Sequence, residues 1–274
     1  MKTSKRKTAK NQSAIVDSLL RQSKQKRVAD RIAALEGLAR SSDPRVTRRL
    51  IDALLDKSPA VRAAGAEWLG DLNAKEAIKP LIASLSDSDS EVRMTAAASL
   101  GDLLTGNKSP RQLTRLLQDP DELVRIEASE SLGAIGDRAA LPALWRAAKD
   151  RSPLVRSYVA GAIGELGTER DIPKLERALA EERSDTVKIG IYQALYKLGR
   201  SETLSALLLM LSGSRDYRVR SATAKILTEV VLNQSNSQVI IDALEKALRR
   251  EPTAAVRSSI RSSLKRVKGQ VARK

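Results

Sequence analysis

Apolar residues in this chain follow two periods, a short one within each segment and a longer one from segment to segment. A valine followed by a basic residue recurs at steps of 31, 32, 31, 32, 32 and 37 residues. These valines are Val61, Val92, Val124, Val155, Val187, Val219 and Val256. Apolar or small residues lie 4, 8 and 11 positions after each valine, and these spacings trace one face of an α-helix. A repeat of this length is typical of stacked helical units rather than of one globular core.

A second amphipathic segment precedes each valine-bearing helix, for example Ala77 to Leu85 and Leu204 to Leu211. Proline lies at several of the joins, where it suits the first turn of a helix. Each unit is therefore predicted to be a helical hairpin of about thirty residues, which is too small to bury its own apolar face. Val28 and Gly37 repeat the internal nine-residue spacing, so residues 12–39 are predicted to be a degenerate first repeat.

Glycine lies nine positions after the valine in four of the repeats. These glycines are Gly70, Gly101, Gly133 and Gly164. Because glycine adopts the left-handed conformation at low cost, we expect them to cap the ends of their helices. The later repeats depart from this pattern, since Tyr196, Thr228 and Lys265 take the same position.

Two stretches, Asp87 to Gly101 and Asp119 to Gly133, carry the pattern most completely. They resemble the HEAT-like repeats first named for phycobilisome lyases, and the resemblance covers roughly residues 41–267. It implies an all-α fold, a right-handed α-α superhelix (solenoid) of about eight helical hairpin repeats. We expect the solenoid to span residues 12–267, between a basic, disordered tail at 1–11 and a basic tail at 268–274. The resemblance implies no activity, because such repeats serve many roles.

Composition removes most kinds of catalytic and metal site. The chain contains no cysteine and no histidine, so it offers no thiol nucleophile, imidazole base or thiolate ligand. We therefore predict no catalytic residue, no cofactor and no metal site, and a chain that is not an enzyme. No stretch approaches 18 continuous apolar residues, so no membrane span is expected. The basic start lacks a following apolar segment, so we expect no secretory signal and a cytoplasmic location.

The net charge of +16 is concentrated at the two ends of the chain. Residues 1–31 contain ten Lys/Arg and two acids, and residues 252–274 contain seven Lys/Arg and no acid. Such ends attract nucleic acid or another polyanion, or else they only keep the protein in solution. The candidate polyanion-binding residues are Lys5, Arg6, Lys7, Lys10, Arg261, Lys265, Arg266 and Lys268.

The basic residue after each valine has two interpretations. A row of arginines such as Arg62 and Arg93 could follow a phosphate backbone. An acid usually lies five positions before the valine, however, as Asp87 does before Val92. Pairing of arginine with acid between successive repeats explains both rows without a ligand, and we favour this structural interpretation.

Positions 3, 6 and 10 after each valine are predicted to face away from the core, on the exposed side of the second helix. The residues of interest there are Glu67, Asp71, Asp102, Glu127, Glu130, Tyr158, Glu165, Gln193, Lys197 and Lys225. The first half of this set is acidic, which repels phosphate and favours a basic peptide or protein surface. The alternative is an ordinary solvated helix face. Trp68 and Trp145 could anchor a partner, although packing is the favoured interpretation for both.

The leading functional hypothesis is a non-catalytic scaffold that binds a protein partner on its concave face. The alternative is a nucleic-acid-associated protein that uses its basic termini. A third hypothesis, a chromophore-lyase subunit, rests only on the name of the repeat family.

Overall fold

The structure is a computed structural model that describes residues 13–230 and 234–272. The predicted basic tail at 1–11 lies outside the described residues. The chain forms two compact units, Met1–Ala140 and Leu141–Lys274. All regular structure in the described residues is helical, as predicted.

The first unit contains four helical hairpins within the described residues. Their helices are α1 (13–22), α2 (Val28–Ala39), α3 (Arg45–Ala53), α4 (Pro59–Asp71), α5 (Ile78–Ser84), α6 (Ser90–Leu103), α7 (Arg111–Arg115) and α8 (Glu122–Ile135). Short 3-10 turns precede α5 and follow α7.

The second unit also contains four hairpins within the described residues. Their helices are α9 (Leu141–Ala147), α10 (Pro153–Leu166), α11 (Ile172–Glu181), α12 (Asp185–Lys197), α13 (Thr203–Gly213), α14 (Tyr217–Glu229), α15 (Gln234–Arg250) and α16 (Ala254–Val271). Residues 268–271 thus continue the last helix beyond the predicted boundary at residue 267. No helix in the described parts of the chain has the length and apolarity needed to cross a membrane.

The seven valines of the repeat are all buried, and so are the aliphatic residues eight positions after them. The second helices of neighbouring hairpins pack along this row, α4 with α6 and α6 with α8 in the first unit, and α10 with α12 in the second. The predicted stack of helical hairpins is therefore confirmed in each unit. Leu72, 11 positions after Val61, was predicted to lie on the buried face of its helix. It follows the last residue of α4, and 37% of its surface is exposed.

The glycines nine positions after the valine do not cap helices, so that prediction was wrong. Gly70, Gly101 and Gly164 lie inside α4, α6 and α10, and none has a positive φ. Each touches a small residue of the next second helix. A Cβ added to Gly101 would lie 3.1 Å from Ser131 Cβ, and one added to Gly70 would lie 2.9 Å from Ser99 Cβ. Glycine at this position therefore allows close helix packing.

The arginines after the valines join one repeat to the next. Nε and Nη2 of Arg93 donate to the two carboxylate oxygens of Asp119 at 2.8 and 2.7 Å, and its Nη1 donates to the carbonyl oxygen of Asp87 at 2.8 Å. Asp119 in turn accepts from the N–H of Asp121 at 2.9 Å. Paired carboxylate and guanidinium groups fit each other with two parallel hydrogen bonds. We call each such pair a rung.

Rungs of closely similar geometry join Arg62 with Asp87, Arg156 with Glu182 and Arg220 with Glu251. Arg31 pairs with Asp56 through Nη2 alone, at 2.8 Å. The structural interpretation of the arginine row is therefore confirmed. The predicted register of the first repeat, in which Val28 takes the place of the repeat valine, was wrong. Val28 is 38% exposed, and Arg31 rather than the residue after Val28 takes the place of Arg62.

Candidate functional site

The acidic part of the predicted partner-binding set lies on the exposed side of three second helices in the first unit. It comprises Glu67, Asp71, Asp102, Glu127 and Glu130, from α4, α6 and α8, and we call it the acidic face. All except Glu127 are exposed, and Glu127 is half-buried. Their positions follow from the helical period, because the valines of the same helices point into the core.

Local capping fixes where two of these helices begin. The carboxylate of Asp89 accepts from the N–H groups of Glu91 and Val92, and Asp121 does the same for Leu123 and Val124. Such caps satisfy N–H groups that the first helical turn leaves without a partner. The start of each helix, and hence the direction of its acidic residues, is therefore set within the repeat.

Three carboxylates of the acidic face, those of Glu67, Asp71 and Asp102, form no ion pair or hydrogen bond with any described residue. Arg62 and Arg93 are held in rungs at the starts of α4 and α6. Lys75, the basic residue that follows Asp71, donates from Nζ to the carbonyl oxygen of Leu103 at 2.5 Å. Within the described residues, the acidic face thus carries negative charge that no ion pair compensates.

Glu127 is the least exposed carboxylate of the acidic face. Burial raises the pKa of Glu127 above its ordinary value, and the negative charge of Asp102 raises it further. A hydrogen bond with Ser131, whose Oγ is 3.1 Å from Oε1 of Glu127, acts in the opposite direction. The raised pKa means that the ionised form of Glu127 is disfavoured and would gain from a nearby cation.

Three of the predicted residues of the second unit, Glu165, Gln193 and Lys197, have partners within the unit. Lys197 forms an ion pair with Glu165 on α10 and lies 3.6 Å from Glu229 on α14. Nε2 of Gln193 donates to the same Glu229 at 2.7 Å. This network spans α10, α12 and α14. Its polar groups hold helices together, so fewer of them are available to a partner.

Gln193 was expected to face solvent, but it is buried, with 7% of its surface exposed. It lies between α12 and α14, where its amide binds Glu229. Sequence reasoning missed Glu229, although that residue lies ten positions after Val219, at one of the spacings used for the other repeats. Tyr158 and Lys225 are exposed as predicted.

The candidate polyanion-binding residues of the last helix lie on its solvent side. Arg261, Lys265 and Arg266 are exposed and form no ion pair with a described residue. Lys268 donates to Oε1 of Glu245 at 2.8 Å. The N-terminal candidates Lys5, Arg6, Lys7 and Lys10 lie outside the described residues.

Trp145 packs within the second unit rather than projecting from it. Its Nε1 donates to Asp171 at 3.2 Å, and the Nζ of Lys174 lies 3.9 Å from the centroid of the ring. A cation over an indole ring is a favourable contact that holds both side chains in place. The packing interpretation of this residue is therefore supported. Trp68 is half-buried on α4.

Comparison with known proteins identifies the repeat. The family model of HEAT repeats matches residues 14–101, 47–118 and 109–196. No curated protein matches the sequence significantly.

Two solved structures illustrate the likeness in fold. A chain in the complex of CpcE and CpcF of phycocyanin lyase from Nostoc sp. PCC7120 is 22% identical, with a TM-score of 0.57 over 83% of this chain and 97% of that one. The YibA protein of E. coli is 20% identical, with a TM-score of 0.52 over 94% of this chain and 96% of that one. At these identities the likeness concerns the fold.

Proposed function

Because this chain belongs to the HEAT-repeat family, we propose that it is a non-catalytic scaffold that binds a protein partner with a basic surface. The partner would contact the acidic face of the first unit. Stacked hairpins expose one side of each second helix, and such rows of side chains serve as extended binding surfaces. The CpcE chain or CpcF chain that this protein resembles is itself part of a complex of two proteins, which agrees with a protein partner.

The observation that carries this proposal is that the carboxylates of Glu67, Asp71 and Asp102 form no ion pair with a described residue. Exposed carboxylates without partners interact with a docking cation at little cost, since no internal ion pair has to break first. Glu127 adds to the effect, because a cation beside it would favour its ionised form. The acidic face also disfavours the phosphate groups of nucleic acid.

The proposal predicts that charge reversal on the acidic face weakens binding of a basic peptide. The probe is a fluorescent peptide of about 12 residues, rich in lysine and arginine. The variant is Glu67→Lys combined with Asp102→Lys. We expect its dissociation constant, measured by fluorescence anisotropy, to rise roughly tenfold, because attraction is replaced by repulsion. A matching loss of partners in a pull-down from cell extract would extend the result to the natural partner.

A matched control tests whether position matters rather than total charge. Glu76 and Glu91 are exposed acids of the same unit that lie outside the acidic face. Glu76→Lys combined with Glu91→Lys makes the same change in net charge, and this variant should bind the peptide nearly as well as the original chain. Equal loss in both double variants would show a non-specific effect of charge and would refute the assignment to the acidic face.

The exposed cations of α16 support a second candidate function, contact with a polyanion such as nucleic acid. Arg261 and Lys265 are four residues apart, so they lie on the same side of the helix. Binding of random duplex DNA should be measured over a salt series. Each phosphate contact contributes about 0.9 to the slope of log affinity against log salt.

The matched variants for this test are Arg261→Glu with Lys265→Glu, and Lys79→Glu with Lys149→Glu as the control on other exposed lysines. The first pair should lower the slope by about 2, and the second should leave it nearly unchanged. Absence of any salt-dependent binding in the full chain would eliminate this candidate function.

A further inference from the structure

Helix α13 is rich in apolar residues, and its exposed side carries Leu209 between Ser205 and Ser212. Of its eleven residues, five are leucine and one is methionine. Leu207 and Leu211 are buried against the core of the second unit. Leu209 points the other way, with 71% of its surface exposed. Leu209 is thus a large apolar side chain on a side of α13 that no described residue covers.

A groove runs beside the uncovered side of α13. It has a volume of about 700 Å³ and lies between α13 and α15, the first helices of neighbouring hairpins. The second helices of the same hairpins, α14 and α16, pack more closely, and the hydroxyls of Ser221 and Ser259 on them are 2.7 Å apart. The α13–α15 groove therefore opens because the first helices diverge while the second helices stay in contact.

The walls of the α13–α15 groove are largely apolar. Leu208 and Leu209 contribute one wall from α13, and Ala243 and Ala247 contribute the other from α15. A volume of this size is within the range of clefts that hold a ligand or several side chains of a partner. The small alanines leave room for bulky side chains opposite the leucines.

Four charged residues line the groove, namely the paired Arg220 and Glu251 and the basic Lys246 and Arg250. Lys246 and Arg250 both line it, lie four residues apart on α15, and are exposed. Neither forms an ion pair with a described residue. The acids on or beside α15 have other partners, since Glu251 pairs with Arg220, Glu245 pairs with Lys268, and Asp242 accepts a hydrogen bond from Gln238. The groove thus combines apolar walls with a basic rim.

One buried polar atom also lines the groove. The hydroxyl of Ser214 is buried and makes no hydrogen bond with a described residue. Buried polar groups are nearly always hydrogen-bonded in folded proteins, so an exception next to an open groove is a candidate for contact with a ligand.

We propose that the α13–α15 groove binds an acidic amphipathic helix of a partner protein. Apolar side chains at helical spacing would cover Leu208 and Leu209 and fill the space beside Ala243 and Ala247. Carboxylates along one edge of that apolar stripe would pair with Lys246 and Arg250. This is the helix-in-groove mode of peptide recognition. The α13–α15 groove is formed by first helices of the second unit and has a basic rim, whereas the acidic face lies on second helices of the first unit. This proposal is therefore independent of the one for the acidic face.

The test uses a defined probe, a fluorescent peptide of about 15 residues with leucines at helical spacing and glutamates elsewhere. Anisotropy with the full chain should show saturable binding. Leu209→Asp should weaken it at least about tenfold, since it removes an apolar contact and adds repulsion. Leu55→Asp is the matched control, because Leu55 is 88% exposed in the first unit, and it should have no effect. Both leucines are exposed, so both variants should fold.

A second pair of changes tests the basic rim. Lys246→Glu with Arg250→Glu should weaken binding of the acidic peptide by about tenfold or more. A control peptide keeps the leucines and has lysine in place of glutamate. It should bind the full chain weakly, at most as tightly as the Lys246→Glu, Arg250→Glu variant binds the acidic peptide.

Three results would overturn the proposal. The first is no saturable binding of the acidic peptide to the full chain, and the second is equal binding by the Leu209→Asp variant. The third is a dimer in sedimentation experiments that Leu209→Asp dissociates, which would identify the occupant as a second copy of this chain. The basic peptide used for the acidic face is measured separately, so failure of one proposal does not imply failure of the other.

Discussion

The closest contacts between second helices form at glycine. A Cβ added to Gly164 on α10 would lie 2.6 Å from the Cα and 2.9 Å from the Cβ of Ala194 on α12. Distances this short require the helices to move apart. Gly161, less than one turn earlier on α10, has only the Oε1 of Gln193 nearby, at 3.6 Å from the added atom. Two glycines on one helix therefore differ in what a methyl group would meet.

Alanine substitution at these two glycines should have opposite effects. We expect Gly164→Ala to lower the free energy of unfolding by about 1–3 kcal/mol, because overpacking displaces neighbouring helices. Gly161→Ala should raise it by up to about 1 kcal/mol, since alanine favours the helix. Urea denaturation of both variants measures this difference. Equal effects at the two positions would contradict the packing role of Gly164.

At the scale of the elements, one rung is missing where the second helices pack least extensively. Lys188 on α12 takes the place of the rung arginine, and Ser214 takes the place of the acid, with the same 26-residue separation as Arg156 and Glu182. Both halves of the rung are therefore absent together. α12 and α14 also contact each other less than α10 and α12 do. Tyr196, in place of the glycine of earlier repeats, is buried.

Restoring both halves of the rung should stabilise the second unit more than the two changes add separately. Lys188→Arg combined with Ser214→Asp should show a coupling energy of about 1–2 kcal/mol in a double-mutant cycle, because the guanidinium and carboxylate then bind through two hydrogen bonds. Chemical denaturation of the four proteins gives this value. A coupling energy near zero would show that the helices are too far apart for a rung.

At the scale of the whole molecule, the rungs make stability depend on pH. The hydrogen bond from Arg220 lowers the pKa of Glu251 to about 2, and the hydrogen bond from Arg62 lowers the pKa of Asp87. Both carboxylates therefore bind protons less readily in the folded chain than in the unfolded chain. Their contribution to stability is complete above the ordinary pKa and is lost as the pH falls through the folded value.

We therefore expect the free energy of unfolding to decrease between about pH 4.5 and pH 2. The variant Glu251→Gln should be less stable than the original chain by about 2 kcal/mol at pH 7, because a charged hydrogen bond is lost. This difference should shrink towards zero near pH 2. Thermal unfolding over this pH range measures both effects. A difference that stays constant with pH would mean that Glu251 does not stabilise the fold through its charge.

Much of the fold could be predicted because the same sequence pattern recurs in each repeat. The buried valines, the hairpins and the pairing of arginine with acid all follow from spacings within one or two repeats. Predictions failed where one repeat differs from the others. Val28 predicted one register for the first repeat, but the pairing of Arg31 with Asp56 shows a different one. Gln193 lies at a spacing predicted to be exposed, but it is buried and binds Glu229. Spacing along a helix does not report which residues of a neighbouring helix lie opposite.

The sequence by itself determined the hairpin repeat and the row of rungs, because both depend on the helical period and on one arginine and one acid per repeat. Only the tertiary structure decided which polar residues remain available to a partner. Glu67, Asp71 and Asp102 form no ion pair with a described residue, while Lys197 pairs with Glu165 and Glu229. It also decided that glycines serve packing and that α13 and α15 enclose a groove. These features depend on distances between helices of different repeats, which local spacing does not specify.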